Sequence, residues 1–180
     1  MLDTQLIIGI AAVVSLYIAY DLLMAYIVNN KTDALLTAAA NAYDNCRYQE
    51  CKKCMLKIVR REPENALFNF RLGMAYHALG QVEAAISCLA EACRLDPKYI
   101  DTRAVLSEWY YEEADYWRSM LYAKQAIELD RYNYDAHLLL GKCCVALGDT
   151  RAADEEVEFF EESGQDSYAY ELTECMRKKQ

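Results

Sequence analysis

The chain has 180 residues, a formal net charge of −9 and 54% hydrophobic residues, which fits one domain of ordinary size with short ends. Its two prolines and six glycines argue against a long disordered linker and predict a chain that is nearly all helix. The charge is −2 for residues 1–30, +2 for residues 31–65 and −9 for residues 66–180, so no nucleic-acid partner is expected, because phosphate binding requires a concentrated basic surface.

The first element is an apolar stretch from Leu6 to Val28 with a single charged residue, Asp21. A helix of this length spans about 35 Å, and a bilayer's hydrocarbon core is about 30 Å thick. A cleavable signal peptide and a buried core helix are the alternatives. A signal peptide usually has a positive n-region and a small-residue cleavage site after a short apolar core, and this stretch stays bulky to its end. We therefore predict an uncleaved anchor over residues 1–30 and a single-pass membrane protein.

Asp21 and the charges that flank the span indicate what the anchor contacts in the membrane and how it is oriented. A carboxylate in a bilayer is costly, so Asp21 either snorkels towards the interface or contacts another membrane helix; the second is our hypothesis. No lysine or arginine precedes the span and Lys31 follows it directly, which favours a cytoplasmic domain. The eight cysteines point the same way, since thiols stay reduced there.

The next segment holds the main basic cluster of the chain. The cluster consists of Lys52, Lys53, Lys57, Arg60 and Arg61. It is either a solvated helix face or a surface attracted to anionic lipid. Because no glycine or proline lies between Gly9 and Pro63, the membrane helix is expected to run almost directly into this segment, with Asn29-Asn30 as a weak break.

A pattern of small and large residues runs through residues 66–97. Counted from Ala66, positions 7, 8 and 11 share one face of a first helix, and positions 20, 24 and 27 share one face of a second. These positions hold Leu72, Gly73, Tyr76, Ala85, Leu89 and Ala92. Gly80 makes the turn and Pro97 ends the second helix. The segment resembles a tetratricopeptide repeat, W-x2-L-G-x2-Y then A-x3-F and P, with Asn69 in place of the first aromatic.

The same register recurs at steps of 34 residues. The upstream copy places Ala39, Cys51, Met55, Ile58 and Pro63 at equivalent positions, and the downstream copies place Leu106, Ser107, Tyr110, Ser119, Ala126, Leu140, Gly141, Cys144, Gly148, Ala153, Val157 and Phe160. Repeats one and three depart most, with Ala38 and Ala42 for larger residues and Ala114 and Arg131 for the usual glycine and proline.

The resemblance implies an all-α fold with an α-solenoid of about four helix pairs. The N-terminal transmembrane helix predicted above from its length and apolar residues leads into this solenoid. The repeats are expected at about residues 32–65, 66–99, 100–133 and 134–164, within a domain of residues 31–165. Residues 166–180 are predicted to form a capping helix and tail, because the last repeat would otherwise expose its apolar face.

The resemblance also implies a concave groove lined by the first helices of the repeats. The residues predicted to contact a partner there are Leu36, Tyr43, Leu67, Phe70, Met74, His77, Asp101, Glu108, Tyr111, Glu112, Leu138 and Lys142. The first half is apolar and the middle acidic, which suits a protein segment with apolar anchors and a basic flank. The alternative is that the chain's own ends cover the groove. Family members that clamp a carboxylate use basic groove residues, and this chain has Asp101, Val105, Asp135 and Leu139 there, so that activity is not expected.

Cys46, Cys51 and Cys54 match part of an iron–sulfur spacing, but the repeat register places Cys51 at a small buried position, where cysteine acts as a hydrophobe. His137 lies at a packing position, and the acidic runs at residues 154–156 and 161–162 indicate solvated helix faces. No catalytic or phosphate-binding motif is present. We therefore expect no catalysis, cofactor, metal or small-molecule substrate.

The function predicted from the sequence is a membrane-anchored scaffold that recruits or stabilises a protein partner or complex at the membrane. One alternative is the inverted topology, with a chaperone on the periplasm side of the membrane. The other is a thiol- or metal-dependent redox factor that uses Cys51 and Cys54.

Overall fold

The computed structural model describes the backbone of residues 4–179 and the side chains of residues 13–27 and 30–179. Within these residues the regular structure is entirely helical, which confirms the all-α fold class. The helices are α1 (Thr4–Asp44), α2 (Tyr48–Arg61), α3 (Ala66–His77), α4 (Val82–Leu95), α5 (Ile100–Glu112), α6 (Tyr116–Leu129), α7 (Tyr134–Leu147), α8 (Thr150–Glu162) and α9 (Asp166–Lys179). Residues 1–3 of the predicted anchor, and the side chains of its residues 4–12, 28 and 29, lie outside the described residues, as does Gln180.

Helix α1 joins the apolar stretch to the first repeat without interruption. It runs for 41 residues and includes the predicted weak break at residues 29–30. Its side chains from Val13 to Tyr26 are exposed, whereas Thr32, Ala39 and Ala42 are buried. The segment Val13–Asp44 is long enough to cross a membrane, and its most apolar window has a mean hydropathy of 1.3 and no buried residue. The described part of the apolar stretch therefore argues against the buried core helix.

From Thr32 onwards the chain is a stack of antiparallel helix pairs. Three apolar clusters hold the stack together: one between α1, α2 and α3, one between α3, α4 and α5, and one that joins α7, α8 and α9 and also includes Ala123 of α6. Helix α9 packs on α7 and α8 with Leu172 fully buried. A Cβ atom added at Gly141 would lie 2.5 Å from Leu172 Cδ2, so the glycine in α7 allows this close approach.

The turn inside each helix pair has one backbone conformation in all four repeats. Residues Cys46, Gly80, Ala114 and Gly148 lie 34 apart and have φ of 57°, 69°, 58° and 86°. The residue after each one donates its backbone N–H to a carbonyl five residues earlier, as in Arg47 N to Ala42 O at 2.7 Å and Asp115 N to Tyr110 O at 2.9 Å. A left-handed residue followed by such a bond is the Schellman ending of a helix. Two repeats therefore place a residue with a side chain where glycine is favoured.

We expect Ala114→Gly to raise the free energy of unfolding by about 1 kcal/mol, because alanine in the left-handed region is strained and glycine is not. The matched variant Gly80→Ala should lower it by a similar amount. An added Cβ at Gly80 meets no atom within 4 Å, so its effect comes from the backbone alone. Urea unfolding followed by circular dichroism measures both; a destabilised Ala114→Gly variant would contradict this account of the turn.

Polar residues replace the missing first aromatic of the repeat. Asn69 is 5% exposed, and its Nδ2 donates to Pro63 O and to Asn65 O, both at 3.0 Å. His137 occupies the same position in the fourth repeat, and its Nε2 lies 3.1 Å from Arg131 O. In both repeats the side chain bonds to the carbonyl six residues earlier. The polar residue that replaces the aromatic of the family pattern therefore forms a hydrogen bond to the preceding loop.

The third repeat packs its two helices through a pair of buried serines. Ser107 Oγ donates to Ser119 O at 2.9 Å, and Ser119 Oγ donates to Ser107 O at 2.7 Å. Both residues are fully buried and stand at the positions where repeats two and four have glycine and alanine. The small side chains permit the close approach of α5 and α6, and the reciprocal bonds satisfy both hydroxyl groups.

Candidate functional site

The first helices of successive pairs form one continuous face, which we call the inner surface. It consists of α1 from Thr32, then α3, α5 and α7. Side chains join neighbouring helices across it: Leu36 and Met74 line one cavity, and His77 stacks on Trp109 with ring centroids 4.1 Å apart and planes 3° apart. The predicted groove residues thus lie on helices that are neighbours in space.

An apolar pocket opens at the N-terminal end of the inner surface, and we call it the N-terminal pocket. Its volume is about 260 Å³, and its lining residues come from α1, α2 and α3. They are Leu36, Ala39, Ala40, Tyr43, Asp44, Cys51, Met55, Arg71 and Met74. Pockets for small molecules usually measure about 300–1,000 Å³, so this one has the size for a side chain of a partner. Asp44 and Arg71 supply opposite charges at an otherwise apolar site.

The middle of the inner surface is aromatic and acidic. His77 Nε2 lies 3.4 Å from Glu112 Oε2, and the histidine side chain is 29% exposed. Glu108 and Asp101 are exposed on the same helix, α5. Apart from Glu112, these carboxylates form no ion pair among the described residues, so they leave negative charge beside the aromatic pair.

Three other predicted groove residues differ in their surroundings. Leu67 is 39% exposed. Phe70 packs edge-on against Tyr99, with ring centroids 5.3 Å apart. Tyr111 is half-buried, and burial raises the pKa of its hydroxyl. Leu67 is therefore the most accessible apolar residue of the three.

The C-terminal end of the inner surface is partly covered by the chain itself. Leu138 is 9% exposed and belongs to the cluster of α7, α8 and α9, so it packs inside the domain, unlike the open groove position predicted for it. Lys142 Nζ lies 2.6 Å from Glu171 Oε1 of α9, and Tyr168 Oη donates to Asp135 Oδ1 at 2.9 Å. These contacts place α9 beside α7, as the first helix of a further repeat would lie.

Sequence reasoning missed a buried contact between a histidine and a glutamate. His137 Nδ1 lies 2.7 Å from Glu156 Oε2, and their side chains are 10% and 15% exposed. The ring also stacks on Phe159 at 3.9 Å between centroids. Glu156 is thus not part of a solvated helix face, as the acidic run had indicated. The pair links α7 to α8, and a carboxylate 19 residues from a histidine gives no sequence signal for it.

Cys51 and Cys144 are buried, as packing residues are. Burial raises the pKa of the Cys51 thiol, with Cys54 adding to the shift, and burial also raises the pKa of Cys144 to about 11. A raised pKa disfavours the thiolate that redox and metal chemistry require. Among the described residues, no three histidine, cysteine or acidic side chains come together as metal ligands.

Comparison with known proteins matches one repeat by its sequence and the whole solenoid by its fold. Residues 66–99 match the family model of the tetratricopeptide repeat. The structure is similar to that of MamA, with a TM-score of 0.67 and 17% identity over 83% of this chain and 91% of that chain. It is also similar to a tetratricopeptide repeat protein from Parabacteroides merdae, with a TM-score of 0.76 and 14% identity over 83% of this chain and 60% of that one. The fold is that of a tetratricopeptide-repeat (TPR) solenoid.

A third similar structure contains a bound peptide. The first TPR of Spaghetti (RPAP3), bound to the HSP90 peptide SRMEEVD, aligns with a TM-score of 0.62 and 20% identity over 66% of this chain and 94% of that chain. A search of curated proteins finds no significant match. The inner surface of this solenoid carries the N-terminal pocket and the unpaired carboxylates of α5.

Proposed function

We propose that the protein is a membrane-anchored TPR scaffold that holds a protein partner on its inner surface and performs no catalysis itself. The observation that carries the proposal is the N-terminal pocket, which adjoins the acidic middle of the same surface. An apolar pocket next to unpaired charge is the usual arrangement for an anchoring side chain with a charged flank.

The partner segment has apolar anchors and a basic flank. An apolar side chain enters the N-terminal pocket between α1 and α3, and lysine or arginine residues meet Asp101, Glu108 and Glu112. The peptides named for two similar TPR structures, SRMEEVD and SGPTIEEVD, end in acidic residues. Asp101 and Asp135 stand where a carboxylate clamp needs basic groups, so we expect this protein to reject such peptides.

The apolar stretch of α1 tethers this surface to a membrane, with the repeats on the cytoplasmic side. Support comes from the exposed side chains between Val13 and Tyr26, which have no protein core to cover them, and from the basic residues that follow the span. Asp21 is exposed on this segment and contacts a helix of a membrane partner in our proposal, since an unpaired carboxylate in lipid is costly.

Filling the N-terminal pocket should abolish most partner binding. We expect Ala40→Trp to weaken binding at least about tenfold, because the indole would occupy the space of the partner's anchor and hot-spot contacts dominate affinity. A photo-crosslinking amino acid at Phe70 of the full chain, in native membranes, identifies the bound protein. Titration of the variant with the purified partner segment then gives the change in affinity.

The control is Ala90→Trp, which adds the same side chain to an exposed position of α4, and its affinity should equal that of the unchanged protein. Ala40 is also exposed, so both variants should keep their thermal stability. Full binding by a folded Ala40→Trp variant would remove the pocket from the proposed function.

A further inference from the structure

A row of basic side chains lies on the exposed face of α2, and we call it the basic strip. It consists of Lys53, Lys57, Arg60 and Arg61, all of which are exposed. None of them forms an ion pair within the part of the chain that the structure describes. Lys52 differs, since its Nζ donates to Gln81 Oε1 at 3.1 Å. The strip is therefore positive charge that the protein itself does not neutralise.

The C-terminal end of α2, which holds one end of the basic strip, lies towards the apolar stretch of α1. Helix α2 has 14 residues and spans about 21 Å. It follows α1 through a tight turn and shares an apolar cluster with it, from Cys51 near the turn to Ile58 near its end. It thus runs antiparallel to α1, and Arg60 and Arg61 lie beside the start of the packed part of α1. The burial of Thr32, which is 4% exposed, marks that level.

The distance from this level to the apolar stretch is short. Ile27 is the last apolar residue with a described side chain before the packed part begins at Thr32, and five residues of helix cover about 7.5 Å. Helix α1 is continuous across this interval, so the separation is fixed by a rigid element. It is comparable with the Debye length of about 8 Å at physiological ionic strength, so charge on Arg60 and Arg61 is felt at the end of the apolar stretch.

The basic strip and Lys31 together outnumber the acidic groups around them by five to three. Lys31 is exposed on α1 at the same level, and the acidic groups nearby along the chain are Asp33, Glu62 and Glu64. Residues 31–65 as a whole carry +2, whereas residues 66–180 carry −9. Arginines in the last turn of α2 also complement the helix dipole, but that role does not require Lys57, Lys53 or Lys31.

We propose that the basic strip, together with Lys31, binds the headgroups of anionic phospholipids beside the tether. This inference rests on the proposed function, because it requires the apolar stretch of α1 to lie in the bilayer. Contact at this end would orient the solenoid, since α2 belongs to the same helix pair that builds the N-terminal pocket.

The test uses the full chain in a neutral detergent and native mass spectrometry with added phosphatidylglycerol or phosphatidylcholine. We expect phosphatidylglycerol to be retained in preference, and Arg60→Gln/Arg61→Gln to reduce its affinity about thirtyfold. The control, Lys98→Gln/Arg131→Gln, removes the same charge from exposed side chains elsewhere and should keep the preference. Thermal unfolding of each variant shows that the fold is intact.

Two results would overturn the lipid site: equal retention of both lipids by the unchanged protein, or the same loss of affinity in the control as in the Arg60/Arg61 variant. Failure of the proposed function looks different. A full chain that stays soluble and monodisperse without detergent, or that leaves membranes in an alkaline wash, has no anchor, and this is seen before any lipid is added.

Discussion

Removing residues 1–30 is expected to release the protein from membranes into the soluble fraction without unfolding its repeats. The side chains that would be lost pack against little of the rest of the protein: Leu16, Tyr17 and Leu22 are 71%, 67% and 66% exposed. Only lipid can remove these apolar side chains from water, which lowers their free energy. The truncated chain keeps Leu35, Leu36, Ala39 and Ala42, which form the cluster with α2.

The measurement is an alkaline carbonate wash of membranes from cells that express either chain. The full chain should remain in the pellet and the truncated chain should appear in the supernatant, with a thermal unfolding midpoint close to that of the detergent-solubilised full chain. Two outcomes count against the anchor: extraction of the full chain by the wash, or an intact mass that lacks the N-terminal segment, which would indicate a cleaved signal peptide.

The repeat register was predictable because it depends on local backbone geometry. Each helix pair needs a left-handed residue at its turn, and the 34-residue spacing of Cys46, Gly80, Ala114 and Gly148 supplies it. At Gly80 and Gly148 the residue type itself predicts the turn, because glycine favours the left-handed conformation. At Cys46 and Ala114 it does not, and only the spacing places the turn there. Helix boundaries and the main buried positions follow from the same register.

The side-chain contacts between helices were not predictable in the same way. The stack of His77 on Trp109 joins α3 to α5, and the pair of His137 with Glu156 joins α7 to α8. Each depends on how one helix is shifted and rotated against another, which no single residue of the repeat pattern specifies. The burial of Leu138 has the same origin: its position in the repeat predicts a groove side chain, but α9 packs next to α7 and completes the cluster around it.

Because the last cluster depends on α9, a substitution in the core of the C-terminal repeat should destabilise that repeat most. Phe160→Ala is expected to lower the free energy of unfolding by about 3–5 kcal/mol, since it removes a large fully buried ring and leaves a cavity. Phe160 is 0% exposed, and it stacks on Tyr168 of α9 with centroids 5.3 Å apart. The control Tyr170→Ala removes a ring that is 68% exposed and should change stability by less than about 0.5 kcal/mol.

The part of the chain that loses protection in this variant distinguishes an effect on stability from an effect on binding. In a solenoid each repeat contacts only its neighbours, so hydrogen exchange in the Phe160→Ala variant should rise first in α8 and α9 while α1 to α4 stay protected. Partner binding at the N-terminal pocket should then persist, because Ala40 and Met74 lie in the first two repeats. Loss of protection along the whole chain at once would mean that the stack unfolds as one unit; loss of binding with α1 to α4 still protected would mean that the partner depends on the C-terminal end of the inner surface.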